Sequence, residues 1–218
     1  MTLRVVAIDG AAGSGKSTLA RGLARALGLP YVNTGVMYRA LTLEAIERGV
    51  PSDDGDALAA LMTTLRFSLD EGEPAELEVE GAPPSLDLEG TAVEAHVSEV
   101  AAHPQVRVLM REAQRALGLG GGVVEGRDIA TVVFPDAPLK LYIVADPAKR
   151  IERRARQRET ASDEVGGALV RRDERDAKVN PFEPPDDAIV LDTTGLDIES
   201  TLAAALEIVA RDAPELSP

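Results

Sequence analysis

The residues Gly10-Ala11-Ala12-Gly13-Ser14-Gly15-Lys16-Ser17 have the types and spacing of G-x-x-x-x-G-K-[ST]. Glycines at these places let backbone N–H groups converge on anionic oxygens, an approach that a Cβ would block. Lys16 adds a point charge for β- and γ-phosphates, and the Ser17 hydroxyl is a ligand for Mg²⁺. An apolar run precedes the glycines and a helical pattern follows, so the run continues through Thr18 into a helix whose positive N-terminal end faces the anion. The chemistry is the cradling of a nucleoside triphosphate from Gly10 to Thr18. Asp9, just before the cradle, has two readings: it orients a Mg²⁺-bound water, or it ends the strand.

The cradle alone does not separate a kinase from a GTPase-like switch. The guanine-reading N-K-x-D pattern is absent, since asparagine occurs only at Asn33 and Asn180. Asp192-Thr193-Thr194-Gly195 fits the short D-x-x-G element, but it lies near the C-terminus, where a strand-to-helix turn explains it equally well. Transfer to a second phosphate would gather about six negative charges, which need cationic groups to meet. A monophosphate acceptor is already ionised near neutral pH and needs no general base. Two histidines and many arginines suit that acceptor better than a hydroxyl. Ten of the 23 Lys and Arg fall between Lys149 and Lys178, alongside seven acids. This cationic island is either an anion site or a solvated helix face. Within it Arg150, Arg154 and Arg158 form one stripe at four-residue spacing, with Arg153 and Arg156 alongside.

These residues need a scaffold, and the hydrophobic pattern supplies one. Strands are expected over 3–9, 31–33, 123–125, 139–144 and 188–192, and helices over 16–27, 34–48 with Thr34 as N-cap, and 56–65. Further helices are expected over 91–102, 104–117, from Asp146-Pro147 to 158, from 168 to 178, and over 198–211, with a polar loop over 162–167 and a frayed tail over 213–218. The pieces 66–69 and 76–80 read as a hairpin about Asp70-Glu71-Gly72-Glu73-Pro74, inserted outside the main sheet. Five short apolar strands alternating with helices imply an α/β fold: a five-stranded parallel sheet with helices on both faces. Ligands then bind at the sheet's carboxyl edge, where Arg39, Arg127 and Asp128 are expected.

The cradle together with Asn33-Thr34-Gly35-Val36-Met37-Tyr38-Arg39, the run Glu125-Gly126-Arg127-Asp128-Ile129-Ala130-Thr131-Val132-Val133-Phe134-Pro135-Asp136-Ala137 and Arg172-Asp173-Glu174-Arg175-Asp176 resembles bacterial cytidylate kinase. The resemblance covers the chain from about 3 to 211. It implies a P-loop kinase of nucleoside monophosphate type: one domain over 1–218, a β-containing monophosphate-binding insert at about 63–103, and a short lid over ATP at about 156–170. It implies transfer of the γ-phosphate of Mg·ATP to CMP and dCMP, with Lys16, Arg127, Asp128 and Arg172 as catalytic residues. For the CMP site it implies Arg39 and Arg127 on the phosphate, Thr34 beside the nucleotide, Ser98 and Arg107 on cytosine, Asp128 with Arg127, Asp176 on the sugar, and Arg172 on phosphate. Arg172 and Asp176 share a helix face and could bind each other instead. One departure is clear: the family arginine three residues after Asp176 is Val179 here, with Lys178 or Arg175 as replacements. A kinase for UMP or another small metabolite is the near alternative, and a GTPase-like switch the distant one.

Composition narrows the partners. The net charge is −14, which argues against nucleic acid, and no apolar stretch approaches the roughly 20 residues of a membrane span. There are no cysteines, so neither disulfides nor thiolate metal sites form. The sequence begins directly with a strand-like segment, without room for a signal peptide. Together these features lead to the expectation of a cytoplasmic, monomeric enzyme that uses small-molecule substrates, with Mg²⁺ as the cofactor.

Overall fold

The computed structural model describes residues 3–158, 166–167, 173, 175–177 and 183–217, with positions 157 and 158 described by backbone alone. The strands β1 (Val5–Gly10), β2 (Tyr31–Asn33), β5 (Gly122–Gly126), β6 (Leu139–Val144) and β7 (Ile189–Asp192) form one parallel sheet in the order β2-β5-β1-β6-β7. β1 is central and fully buried, so its side chains serve two cores. Val6 and Ile8 face the cluster built by α1 (Lys16–Leu27) and α7 (Ile198–Asp212), while Val5 and Ala7 join Val32, Val124, Ile129 and Phe134 on the other face. Strand order turns about β1, with β5 on one side and β6 on the other. That reversal opens a crevice at the carboxyl edge, directly over the glycine-rich loop.

A third apolar cluster binds α2 (Thr34–Glu47), α3 (Gly55–Met62) and α5 (Pro104–Gly118) to Leu77 and Val100. β3 (Phe67–Leu69) and β4 (Leu77–Val79) pair antiparallel in a separate two-stranded sheet, as the hairpin reading expects. α4 (Thr91–Val100) precedes α5, and α6 (Pro147–Arg158) opens after Asp146, whose carboxylate accepts from Ala148 N at 2.8 Å.

Three expectations need correction. Thr34 is the first residue of α2 rather than its cap: Asn33 caps, accepting from Val36 N at 3.2 Å. That releases the Thr34 hydroxyl for the site. The segment Ile129–Val133, not anticipated as regular structure, is a wide π-type turn with Phe134 N bonded to Ile129 O at 2.7 Å. Over its described residues, 213–217, the tail is not frayed. Ala213 and Leu216 have no exposed surface, and Pro214–Leu216 forms a 3₁₀ turn that seats Leu216 in the α1/α7 core. Leu216→Ala should lower the unfolding free energy by about 2–4 kcal/mol in urea titrations, against no change for a dangling end.

Candidate active site

The cradle hangs between β1 and α1, and two other elements brace it from outside. Gly13 has φ 75°, and a Cβ there would meet the Arg150 carbonyl oxygen at 2.8 Å, so α6 backbone lies against the loop. Arg153, two turns into that helix, donates to Ser14 O at 3.2 Å and to Thr193 O at 2.6 Å. Thr193 is buried and donates its hydroxyl to Ser14 O at 2.9 Å. The turn 192–195 is therefore a loop brace, with Asp192 Oδ1 accepting from Thr194 N at 2.8 Å. The expected stripe of arginines divides: Arg150 reaches Asp173 at 2.5 Å, Arg153 pins loops, Arg154 reaches Glu89 at 3.0 Å, and Arg156 pairs with Glu152 on the surface.

At the start of α1, Ser17 Oγ donates to Glu125 Oε2 at 2.9 Å, and Lys16 Nζ lies 3.9 Å from the same oxygen. Tyr31 donates its hydroxyl to Glu125 Oε1 at 2.5 Å and accepts from Asn33 Nδ2 at 3.2 Å. Burial, and then the adjacent carboxylate, push the Tyr31 phenol well above its ordinary value, so it stays a donor. Glu125 is 1% exposed and stands next to the last residue of β5, beside Lys16 and Ser17. Sequence reasoning passed over it. Its signal was a glutamate inside an otherwise apolar strand.

After Glu125 the chain turns through Gly126, where a Cβ would stand 2.5 Å from the Thr34 hydroxyl. That hydroxyl donates to Glu125 O at 2.7 Å, locking α2 to β5. Arg127 Nη1 donates to Gly10 O at 2.9 Å, which ties the second half of the site to the base of the cradle. Arg127 and Asp128 do not pair with each other: Arg127 bonds Asp176 at 2.9 Å and Asp128 bonds Arg107 at 2.5 Å. Ser98 Oγ donates to the other Asp176 oxygen at 2.9 Å. Arg39 is 5% exposed and held by Leu88 O at 2.9 Å and Glu94 at 2.5 Å.

One cleft of about 1330 Å³ joins the two halves. A small-molecule site typically measures roughly 300–1,000 Å³, so the space admits more than one nucleotide. Ala12, Gly13, Ser14, Gly15, Lys16, Ser17 and Thr18 line it, as do Thr34, Arg39, Ser98, Arg107, Arg127, Asp128 and Asp176. Gly10 and Ala11 lie outside the lining, Gly10 serving as the acceptor for Arg127. Arg172, Lys178 and Val179 fall outside the described residues, as does nearly all of the segment expected as a lid. Arg175 donates to Ala95 O at 3.1 Å. The cleft also runs on to Gly195, Asp197 and Ile198, a stretch that sequence reasoning did not assign to the site.

The family model for cytidylate kinase matches residues 6–211. The chain belongs to the cytidylate kinase family. A cytidylate kinase of Corynebacterium efficiens is 37% identical, with 96% of this chain and 95% of that protein covered, and one of Deinococcus radiodurans is 42% identical over 93% and 97%. A bifunctional pantoate ligase/cytidylate kinase of Synechococcus sp. is 40% identical over 88% of this chain, which spans 38% of that longer protein's length. The long run that carried the resemblance to the cytidylate kinase family is here the end of β5, the charged turn, and an apolar anchor: Ile129, Val133 and Phe134 are buried.

Asp9 fixes that turn. Its two oxygens accept from Ile129 N at 2.9 Å and Ala130 N at 2.8 Å, so it holds the turn that follows Arg127 and Asp128. Burial pushes the Asp9 carboxyl up to about 6; the N–H bonds from Ala130 and Ile129 pull the other way, while nearby Asp128 adds to the rise. Below about pH 4 this carboxyl is neutral both folded and unfolded. As pH rises the unfolded chain ionises first, so stability falls until the folded carboxyl ionises near 6. Across that window D9N should gain about 3 kcal/mol relative to wild type in urea unfolding. A flat difference curve would mean that the two N–H bonds keep Asp9 at an ordinary value.

Proposed function

We propose that this chain transfers the γ-phosphoryl group of ATP to CMP, and also to dCMP. The observation that carries the reading is a continuous cleft lined by the phosphate cradle and by Arg39, Arg107 and Arg127. Membership of the cytidylate kinase family supplies the acceptor. A phosphate oxygen of CMP forms a bond to γ-phosphorus as the bond from γ-phosphorus to the β–γ bridging oxygen breaks. CDP and ADP result, and no proton need be removed from the acceptor.

The chain's own part is positioning and charge. The cradle and Lys16 hold the β- and γ-phosphates, while Arg39 and Arg127 hold the CMP phosphate in line with them. Ser98 and Arg107 read cytosine through hydrogen bonds to its edge, and Asp176 takes the sugar while steadying Arg127. We assign Arg172 to the transferring group, segment 63–103 to the acceptor-side insert, and 156–170 to the lid. Mg²⁺ fits the donor set: among the described residues no group of three or more His, Cys, Asp or Glu could cage a metal, so nucleotide oxygens and Ser17 would hold it. Bound there, it would neutralise phosphate charge. Among those residues no helix is long and apolar enough to cross a membrane. A cytoplasmic monomer working on free nucleotides completes the reading.

A panel of monophosphates with Mg·ATP, followed by ADP release, tests the acceptor: CMP and dCMP should exceed AMP and hydroxyl metabolites by about 10²-fold or more. Comparable rates across the panel would overturn it. R127M should lower kcat/KM about 10²- to 10³-fold while ATP affinity holds. R107A should cost far more with CMP than with UMP, and equal losses would remove the base contact.

A further inference from the structure

Glu94, on α4, offers one carboxylate oxygen on which arginines from two different helices meet. Arg39 of α2 lies 2.5 Å from Oε2 through Nη2, and Arg154 of α6 lies 3.7 Å from the same oxygen through its own Nη2. Arg39 is further fixed by Leu88 O at 2.9 Å, and Arg154 by Glu89 at 3.0 Å. Two guanidinium groups this close repel unless negative charge offsets them, and Glu94 is the carboxylate within 4 Å of both, with Glu89 adding a second partner for Arg154. Arg39 and Arg154 line the cleft while Glu94 does not. Glu89 lines it beside Arg154, and the charge that Glu94 supplies comes from outside the lining.

We propose that Glu94 is a positioning residue for phosphoryl transfer. It holds an acceptor-side arginine and an arginine of the helix leading into 156–170 at one point, so that the phosphates of both nucleotides meet a preset pair of cations. This rests on the kinase reading above. It gives α4 a second task beyond carrying Ser98: seating α4 seats the charges at the point of transfer. Glu94 is half-buried at the start of that helix, and its amide analogue preserves shape while removing the charge that offsets the pair.

The experiment compares wild type, E94Q, E94D, R154M and E94Q/R154M, with initial rates for CMP and Mg·ATP, direct binding of a fluorescent ATP analogue, and urea midpoints. E94Q should lower kcat about 10- to 100-fold with analogue affinity within about twofold, since misplaced arginines affect transfer more than donor binding. E94D, which keeps the charge one methylene back, should fall between. The double variant should be no worse than R154M by more than about threefold, because both changes break one alignment. Three results would each overturn the proposal: an unimpaired E94Q, losses that multiply in the double variant, or a loss that appears equally in analogue binding and unfolding. A wild-type chain inert toward CMP would remove the kinase reading and this inference with it. An active wild type with normal E94Q removes the inference alone.

Discussion

Guanidinium groups cannot gather in a partly closed cleft without negative charge to hold them there, and the whole site is organised around that constraint. Arg39 has Glu94, Arg107 has Asp128, Arg127 has Asp176 and Arg150 has Asp173, each pair at 2.5–2.9 Å. Exposed ion pairs contribute little to stability, but removing one member of a largely buried pair strands the other charge at a cost of about 3–5 kcal/mol. These pairs also link elements distant in sequence: Arg127 follows β5 while Asp176 lies far beyond α6. The arginines are thus held in place by the protein's own carboxylates, and in the proposed reaction that would reduce the ordering cost of binding.

Two buried carboxylates at the carboxyl ends of neighbouring strands translate this network into geometry. Glu125 takes hydroxyl donors from Ser17 and Tyr31 and sits by Lys16, so the first turn of α1 is registered against β5. Asp9 takes two backbone N–H groups and so shapes the wide turn after Asp128. The two face different environments. Glu125 is met by the side chains of Ser17, Tyr31 and Lys16, whereas Asp9 is sealed under the sheet edge, where burial raises its pKa. Arg127, bonded to Gly10 O, closes the circuit between the glycine-rich loop and the arginine–carboxylate cluster.

Much of this was legible in the sequence because it is local. The glycine cradle, the amphipathic period of α1 and the strand-helix alternation are written in consecutive residues, and the parallel sheet appears where the apolar runs predicted it. What was not legible depends on contacts far apart in the chain. Arg153 looked like one member of a charged stripe, yet it binds carbonyls some 140 and 40 residues away. Glu125 differed from its neighbours only in polarity, and its partners Tyr31 and Ser17 lie about 90 and 110 residues away. Asn33 and Thr34 are both good caps, and only the nearness of Glu125 O decides which one caps. The tail is short, with no helical or strand period to mark it, and the burial of Ala213 and Leu216 is set by the packing of α7 on α1.

Whether one cleft accepts donor and acceptor together is measurable by calorimetry. CMP is titrated into the chain alone, and again with Mg²⁺ and a non-hydrolysable ATP analogue at saturation. One CMP per chain, bound at least as tightly in the presence of the analogue, is the expected result. Loss of CMP binding once the analogue is in place would show that the two compete for a single seat, and that the arginines and the cradle serve the same phosphate.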